Sequence, residues 1–207
     1  KKSNLLAIVV NQRGTNDACQ FEAIDYLGYP FSISETFQQR NTNRSIATAF
    51  EDVKAIQETA VKHHKKLVIY ISMGFGNPYG DEWNAEMVEY WVDQLKGLGI
   101  EVFSLADTVG TADPTDISYI FSHLINDYPD LEFGAHFHAR PDQWREKVEA
   151  AYKSGCRRFD SAIEGFGGCP MAEDELVGNI ATENLIRFFE ENNALDLDLQ
   201  TWDTILQ

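Results

Sequence analysis

The sequence predicts a parallel α/β fold built from repeated strand–helix units. Three observations carry that expectation. Short β-branched apolar runs alternate with amphipathic helical stretches along the chain. Six such units can be read, each of roughly 30 residues, the usual size of a βα unit. No stretch is rich enough in Pro, Gly or Ser to mark a linker, so residues 1–207 read as a single domain. Strands that alternate with helices run parallel, because each crossover helix returns the chain to the same edge. Two closures satisfy this pattern: an open doubly wound sheet, or part of a (β/α)8 barrel, which needs eight units and typically ~250 residues. The segment Asn11-Gln12-Arg13-Gly14 after the first run has one glycine, not the glycine fingerprint of a dinucleotide fold.

The elements follow in order. Leu5–Val10 is too short and too β-branched for a helix and reads as a strand. A weaker strand is expected around Phe31-Ser32-Ile33. From Ser45, apolar residues at Ile46, Ala49, Phe50, Val53, Ile56 and Ala60 form a helical stripe. The run Leu67–Ile71 is the next strand. Val88, Trp91, Val92, Leu95 and Leu98 repeat the helical spacing until Gly97 and Gly99 end it. Val102–Leu105 is a strand, and Asp113-Pro114 reads as N-cap and first residue of a helix that buries Ile117, Ile120, Phe121, Leu124 and Ile125. Phe133–Phe137 is a strand. Pro141 is expected to start a helix that turns Trp144, Val148, Ala151 and Tyr152 inward. A short strand at Arg158–Asp160 follows, and Thr182 is expected to cap a last helix with Leu185, Ile186 and Phe189 inward.

Composition narrows the partners. The chain is 43% hydrophobic and 24% charged, ordinary globular values. Seventeen Lys and Arg against 33 Asp and Glu give a net charge of −16, which argues against nucleic acid and anionic membrane as main partners. No stretch approaches the roughly 20 apolar residues of a membrane helix. Three cysteines do not make a disulfide framework and point to a reducing, cytoplasmic compartment.

Parallel α/β folds build their sites at the carboxyl ends of the strands, so the residues there are the ones to weigh. His136 and His138 stand two apart on one strand and face the same way, either as a metal chelate or as a hydrogen-bonded structural pair. In Gly165-Phe166-Gly167-Gly168-Cys169-Pro170, three glycines let the backbone approach a ligand, and Cys169 sits on a loop where its thiol can react; the alternative is a plain turn. Cys19 and Cys156 lie in or beside helices and read as packing residues. Asn179 offers an amide oxygen to a hard cation, or simply turns the chain. Asp107, directly after a buried strand, is an acid/base, a metal-supporting or substrate ligand, or a loop cap. The loop Ser72-Met73-Gly74-Phe75-Gly76-Asn77-Pro78-Tyr79 holds substrate or turns.

In this order and spacing, five segments resemble the 3-hydroxy-3-methylglutaryl-CoA lyase family of the DRE-TIM metallolyases. They are Gly76–Tyr79, Ser104–Gly110, His136–His138, Gly165–Pro170 and Gly178–Leu185. The resemblance covers nearly the whole chain and implies a TIM (β/α)8 barrel. Leu5–Val10 matches the group's third strand, so about six units, strands 3–8, are expected in an N-terminally incomplete domain. It implies that His136, His138 and Asn179 ligate Mg2+ or Mn2+. It implies that Cys169, Asp107 and His136 act in catalysis, and that Ser72, Asn77, Tyr79, Thr108, Gly167 and Gly168 contact substrate. The implied reaction is a retro-Claisen cleavage of an acyl-CoA substrate to acetoacetate and acetyl-CoA, carried out by a homodimer. Two other functions are weighed beside it: an aldolase or Claisen-type synthase acting on a 2-oxo acid, and a non-catalytic metal-binding relative.

Overall fold

The computed structural model describes residues 3–169 and 177–194. Met171, Pro170 and the chain after Ala194 lie outside the described residues. The element order is β1 (Leu5–Ile8), α1 (Gln12–Cys19), β2 (Ile24–Ser32), α2 (Glu35–Thr42), α3 (Ile46–Lys62), β3 (Lys66–Ser72), α4 (Ala85–Lys96), β4 (Val102–Asp107), α5 (Pro114–Asp127), β5 (Glu132–Ala139), α6 (Trp144–Lys153), β6 (Arg158–Phe159), β7 (Gly178–Asn179) and α7 (Thr182–Glu191).

The sheet order decides between the two closures. β1 to β6 pair in sequence order, every neighbour parallel. A doubly wound sheet reverses its order at a switch point, and no reversal occurs here. The chain is therefore singly wound, as in a barrel wall.

The two faces of this wall carry different chemistry because side chains alternate along a strand. Odd-numbered residues, including Leu27, Tyr29, Phe31, Ile69, Ile71, Phe103, Leu105, Ala135 and Phe137, are buried against the helices. The helical stripes meet them: Val53 and Ile56 from α3, Val88 and Val92 from α4, Ile120 and Phe121 from α5, Val148 from α6. Even-numbered residues face the concave side and are largely polar from β3 onward: Tyr70, Ser72, Thr108, His136, His138 and Asp160 line one cavity of about 670 Å3.

Four expectations need correction. The second strand begins at Ile24, seven residues before the apolar run at Phe31, because Gly28 and Pro30 break its pattern. Gly28 leaves room for its neighbours: a Cβ would lie 2.6 Å from Ile8 Cδ1 and 2.9 Å from the Tyr70 ring, so those side chains would have to shift. The helix expected from Pro141 begins at Trp144 after a turn. The last helix does begin at Thr182, but its N-cap is Ala181, without a side-chain cap bond, and Thr182 Oγ1 instead shares a 2.9 Å hydrogen bond with Ser161 Oγ. Finally, Gly178–Asn179 is a short strand, antiparallel to β5, that sets Asn179 opposite His138.

Candidate active site

The site grows from the carboxyl end of β5. His136 and His138 project into the same cavity, their ring centroids 5.2 Å apart. Each ring is held through Nδ1. His136 Nδ1 donates to Asp160 Oδ2 at 3.1 Å, and His138 Nδ1 donates to the Thr108 carbonyl at 2.8 Å. A carbonyl only accepts, so the Thr108 bond fixes His138 as the Nδ1–H tautomer and leaves Nε2 with a free lone pair. Asp160 does the same for His136. Ring nitrogens tied to a carboxylate or a carbonyl are the usual outer support of metal-ligating histidines.

The electrostatics agree with this arrangement. Burial pulls the pKa of His138 down, and the neighbouring His136 adds to it; bonds to Thr108 and Asn179 and the charge of Asp107 offset only part. A neutral imidazole is the form that binds a cation. Burial pushes Asp160 up, but the hydrogen bond and charge of His136, then Arg158 and the Ser104 hydroxyl, hold its carboxyl below the usual range. Tyr70 packs edge-on to His136 at 5.3 Å, and burial followed by the charge of Asp160 pushes its phenol up to about 12.

Asn179 closes the cluster. Its backbone N–H donates to the Gly167 carbonyl at 3.1 Å, and its Nδ2 donates to the Phe166 carbonyl at 2.8 Å. Its side chain reaches His138. The glycine loop thus wraps Asn179. Gly167 has φ +87°, the left-handed region that favours glycine, and a Cβ there would crowd the Asn179 amide nitrogen at 3.1 Å. Two imidazoles and an amide side chain, brought together at the carboxyl end of β5, make a donor set of the kind that fits a divalent cation.

The loop carries Cys169 across the strand ends to a small apolar cluster of Phe37, Met73 and Val109, with Tyr79 beside it. Its thiol is half-buried, whereas Cys19 and Cys156 are buried. Burial raises the pKa of both, that of Cys156 to about 12, which keeps them as inert thiols.

The other expected residues divide. Ser72 and Thr108 line the cavity. Gly168 packs on Val177 and Gly178, beside the cavity rather than in it. Asn77 organises its own loop: Oδ1 accepts from the N–H groups of Tyr79 and Asp81, and Nδ2 donates to the Asp81 carbonyl. The Tyr79 ring sits under the Arg40 guanidinium at 4.7 Å. Asp107 lies deeper, 1% exposed. Its carboxylate is buried and engaged on both oxygens, with Thr111 N, Ala112 N and Lys147 Nζ, and it does not line the cavity. It anchors the turn after β4.

Asp160, Tyr70 and Lys147 were not singled out from the sequence. The parallel register of β6 with β5, Arg158 opposite Gly134, continues to set Asp160 beside His136. A separate trio of Glu89, His123 and Asp127 has ligand atoms within 4.8 Å of one another. It lies on the outer faces of α4 and α5 and takes no part in the cavity.

Fold and site together define a (β/α)-barrel protein with a His–His–Asn cluster at its strand ends. The HMGL-like family profile matches residues 19–205, and the chain belongs to that family. A hydroxymethylglutaryl-CoA lyase of Bacillus subtilis is 31% identical over 193 residues, covering 89% of this chain and 61% of that protein. A 3-hydroxy-3-isohexenylglutaryl-CoA/hydroxymethylglutaryl-CoA lyase of Pseudomonas aeruginosa is 31% identical over 153 residues, 74% of this chain and 51% of its own length. Among solved structures, an HMG-CoA lyase of Acinetobacter baumannii in complex with coenzyme A and 3-methylmalate superposes with a TM-score of 0.83 at 31% identity, over 93% of this chain and 63% of that one. The chain thus spans a little over half to under two thirds of the length of these relatives. Among the described residues no helix is long and apolar enough to cross a membrane.

Proposed function

We propose that this chain carries the metal-ligand half of a carbon–carbon lyase acting on 3-hydroxy-3-methylglutaryl-CoA or a similar 3-hydroxyacyl-CoA. The observation that carries the reading is the pairing of Asn179 with His138, beside His136, at the carboxyl end of β5 in a member of the HMGL-like family. The three side chains would hold Mg2+ or Mn2+ through two Nε2 atoms and an amide oxygen. A divalent cation, when bound, polarises a substrate hydroxyl and lowers its pKa. The chain's own residues do the rest. Asp160 and Thr108 keep both Nε2 atoms aimed at the cavity. The glycine loop excludes water, and the Cys169 thiol is the candidate proton donor. A general base at the cavity takes the hydroxyl proton, and the bond between the carbinol carbon and the acyl α-carbon then breaks. The electron pair passes to the acetyl-CoA enolate, a proton from the thiol quenches it, and acetoacetate leaves as the ketone. The same resemblance supports a homodimer as the working form.

The test is a coupled assay for acetoacetate release by the full-length protein, with and without Mg2+ or Mn2+. Metal-dependent acetoacetate formation is expected. Turnover of 2-oxo acid condensation instead would favour the synthase reading. A relative named (R)-citramalyl-CoA lyase, 28% identical, makes citramalyl-CoA the second substrate to assay.

A further inference from the structure

Lys147 is a lysine where the helix pattern calls for an apolar residue. It lies on the inner face of α6, 2% exposed, one turn before the buried Ala151. Lysine is almost never fully buried without a partner. Here its ammonium donates to Asp107 Oδ2 at 2.6 Å, to the Gly110 carbonyl at 2.8 Å and to the His138 carbonyl at 3.4 Å. Both ions of the Lys147–Asp107 pair are shielded from solvent. A buried ion pair is a weak source of stability, because desolvation offsets its attraction, so its placement is the informative feature.

Every partner belongs to the two segments that flank His138. Asp107 Oδ1 accepts from Thr111 N and Ala112 N, which folds the turn after β4 back on itself. That turn carries Thr108, whose carbonyl takes the His138 Nδ1–H at 2.8 Å and whose hydroxyl accepts from Met73 N at 2.8 Å. One ammonium therefore ties the exit of β4 to the exit of β5, across the hydrogen bond that sets the His138 ring.

We propose that Lys147 is a positioning residue for the ligand cluster: through Asp107 and the Gly110 and His138 carbonyls it fixes the turn whose Thr108 carbonyl holds His138 with Nε2 toward the cavity. The inference rests on reading that cluster as a metal centre. Two measurements keep the parts separable. Long-range proton–nitrogen NMR of metal-free protein reads the His138 tautomer, and Mn2+ titration followed by electron paramagnetic resonance reads affinity.

In the wild type, His138 should be wholly the Nδ1–H tautomer. In Lys147→Met, an Nε2–H population should appear, and Mn2+ affinity should fall about 10–100-fold, the range for lost outer support of a ligand. Lys147→Met strands the Asp107 carboxylate and can unfold the chain. The paired Asp107→Asn, Lys147→Met variant buries no charge and should show the same tautomer shift. Lys153→Met, on the same helix but exposed, should change neither reading. A wild-type His138 carrying its proton on Nε2 overturns the proposal, as does either folded variant with wild-type tautomer and affinity. A tautomer shift in a protein that never binds Mn2+ supports the hold of Lys147 on His138 and sinks the metal reading alone.

Discussion

Asp160 is a sharp test of how single residues shape the site. Its Oδ2 takes the His136 Nδ1–H and the Ser104 hydroxyl, so one carboxylate sets the ring that faces the cavity. Asp160→Asn keeps the shape and removes the charge. Mn2+ affinity measured by paramagnetic titration should drop about 10–100-fold while the thermal transition stays cooperative. Unchanged affinity would mean that His136 is set by something else. Cys169 tests the opposite property. Cys169→Ala should lose most of kcat in the acetoacetate assay and keep the Mn2+ affinity of the parent, since the thiol packs against Met73 and Val109 rather than the histidines. Full activity in that variant would remove its catalytic role. At this scale the sequence was partly legible. The i, i+2 spacing of His136 and His138 on an apolar run put both on one face, and they share a cavity. Asp160 was hidden because β6 has only two paired residues and offers no periodicity. Lys147 was hidden because a lysine in a helix reads as solvent-facing until its partner is known.

Elements were legible where their stripes were long and lost where they were short. The 17-residue α3 and the Asp113-Pro114 start of α5 follow directly from apolar spacing and capping. α2 was missed because only Phe37 and Gln38 of its eight residues are buried, so it has little stripe to read. Its stability comes instead from a distant residue. Asp81, in the loop after β3, accepts from Ser34 Oγ at 2.5 Å, Thr36 N at 2.9 Å and Thr36 Oγ1 at 2.8 Å. The Ser34 bond, then that of Thr36 N, holds its carboxyl below the usual range despite some opposing desolvation. A depressed folded pKa means a contribution present above the unfolded value, about 3.9, and lost as pH falls through the folded one. Asp81→Ala should therefore cost about 1–2 kcal/mol in urea unfolding at pH 7, and the difference from wild type should shrink in strong acid. A difference independent of pH would contradict the carboxylate's role as the helix anchor.

The whole molecule is a barrel wall whose path ends at β1 and β6, which do not pair with each other among the described residues. On the β1 side, Leu5, Leu6, Ile8 and Val10 are 51%, 40%, 58% and 50% exposed. An apolar strand edge of this kind is a template for pairing with another chain. Produced as these 207 residues alone, the protein should self-associate in sedimentation velocity and bind a hydrophobic dye, despite a net charge of −16 that opposes association. A monodisperse, dye-silent monomer would contradict this. The singly wound order was legible only in part, since alternating strands and helices fit an open sheet as well; the resemblance carried the choice of barrel, and the strand order agrees with it.

The central claim is that His136, His138 and Asn179 form one divalent-cation centre at the strand ends. Anomalous diffraction at the manganese edge, on crystals of the full-length protein grown with Mn2+, tests it most directly. The account predicts a single strong peak about 2.0–2.6 Å from both Nε2 atoms and from Asn179 Oδ1. A peak only at Glu89, His123 and Asp127 on the outer helices, or none between the two histidines, would contradict it.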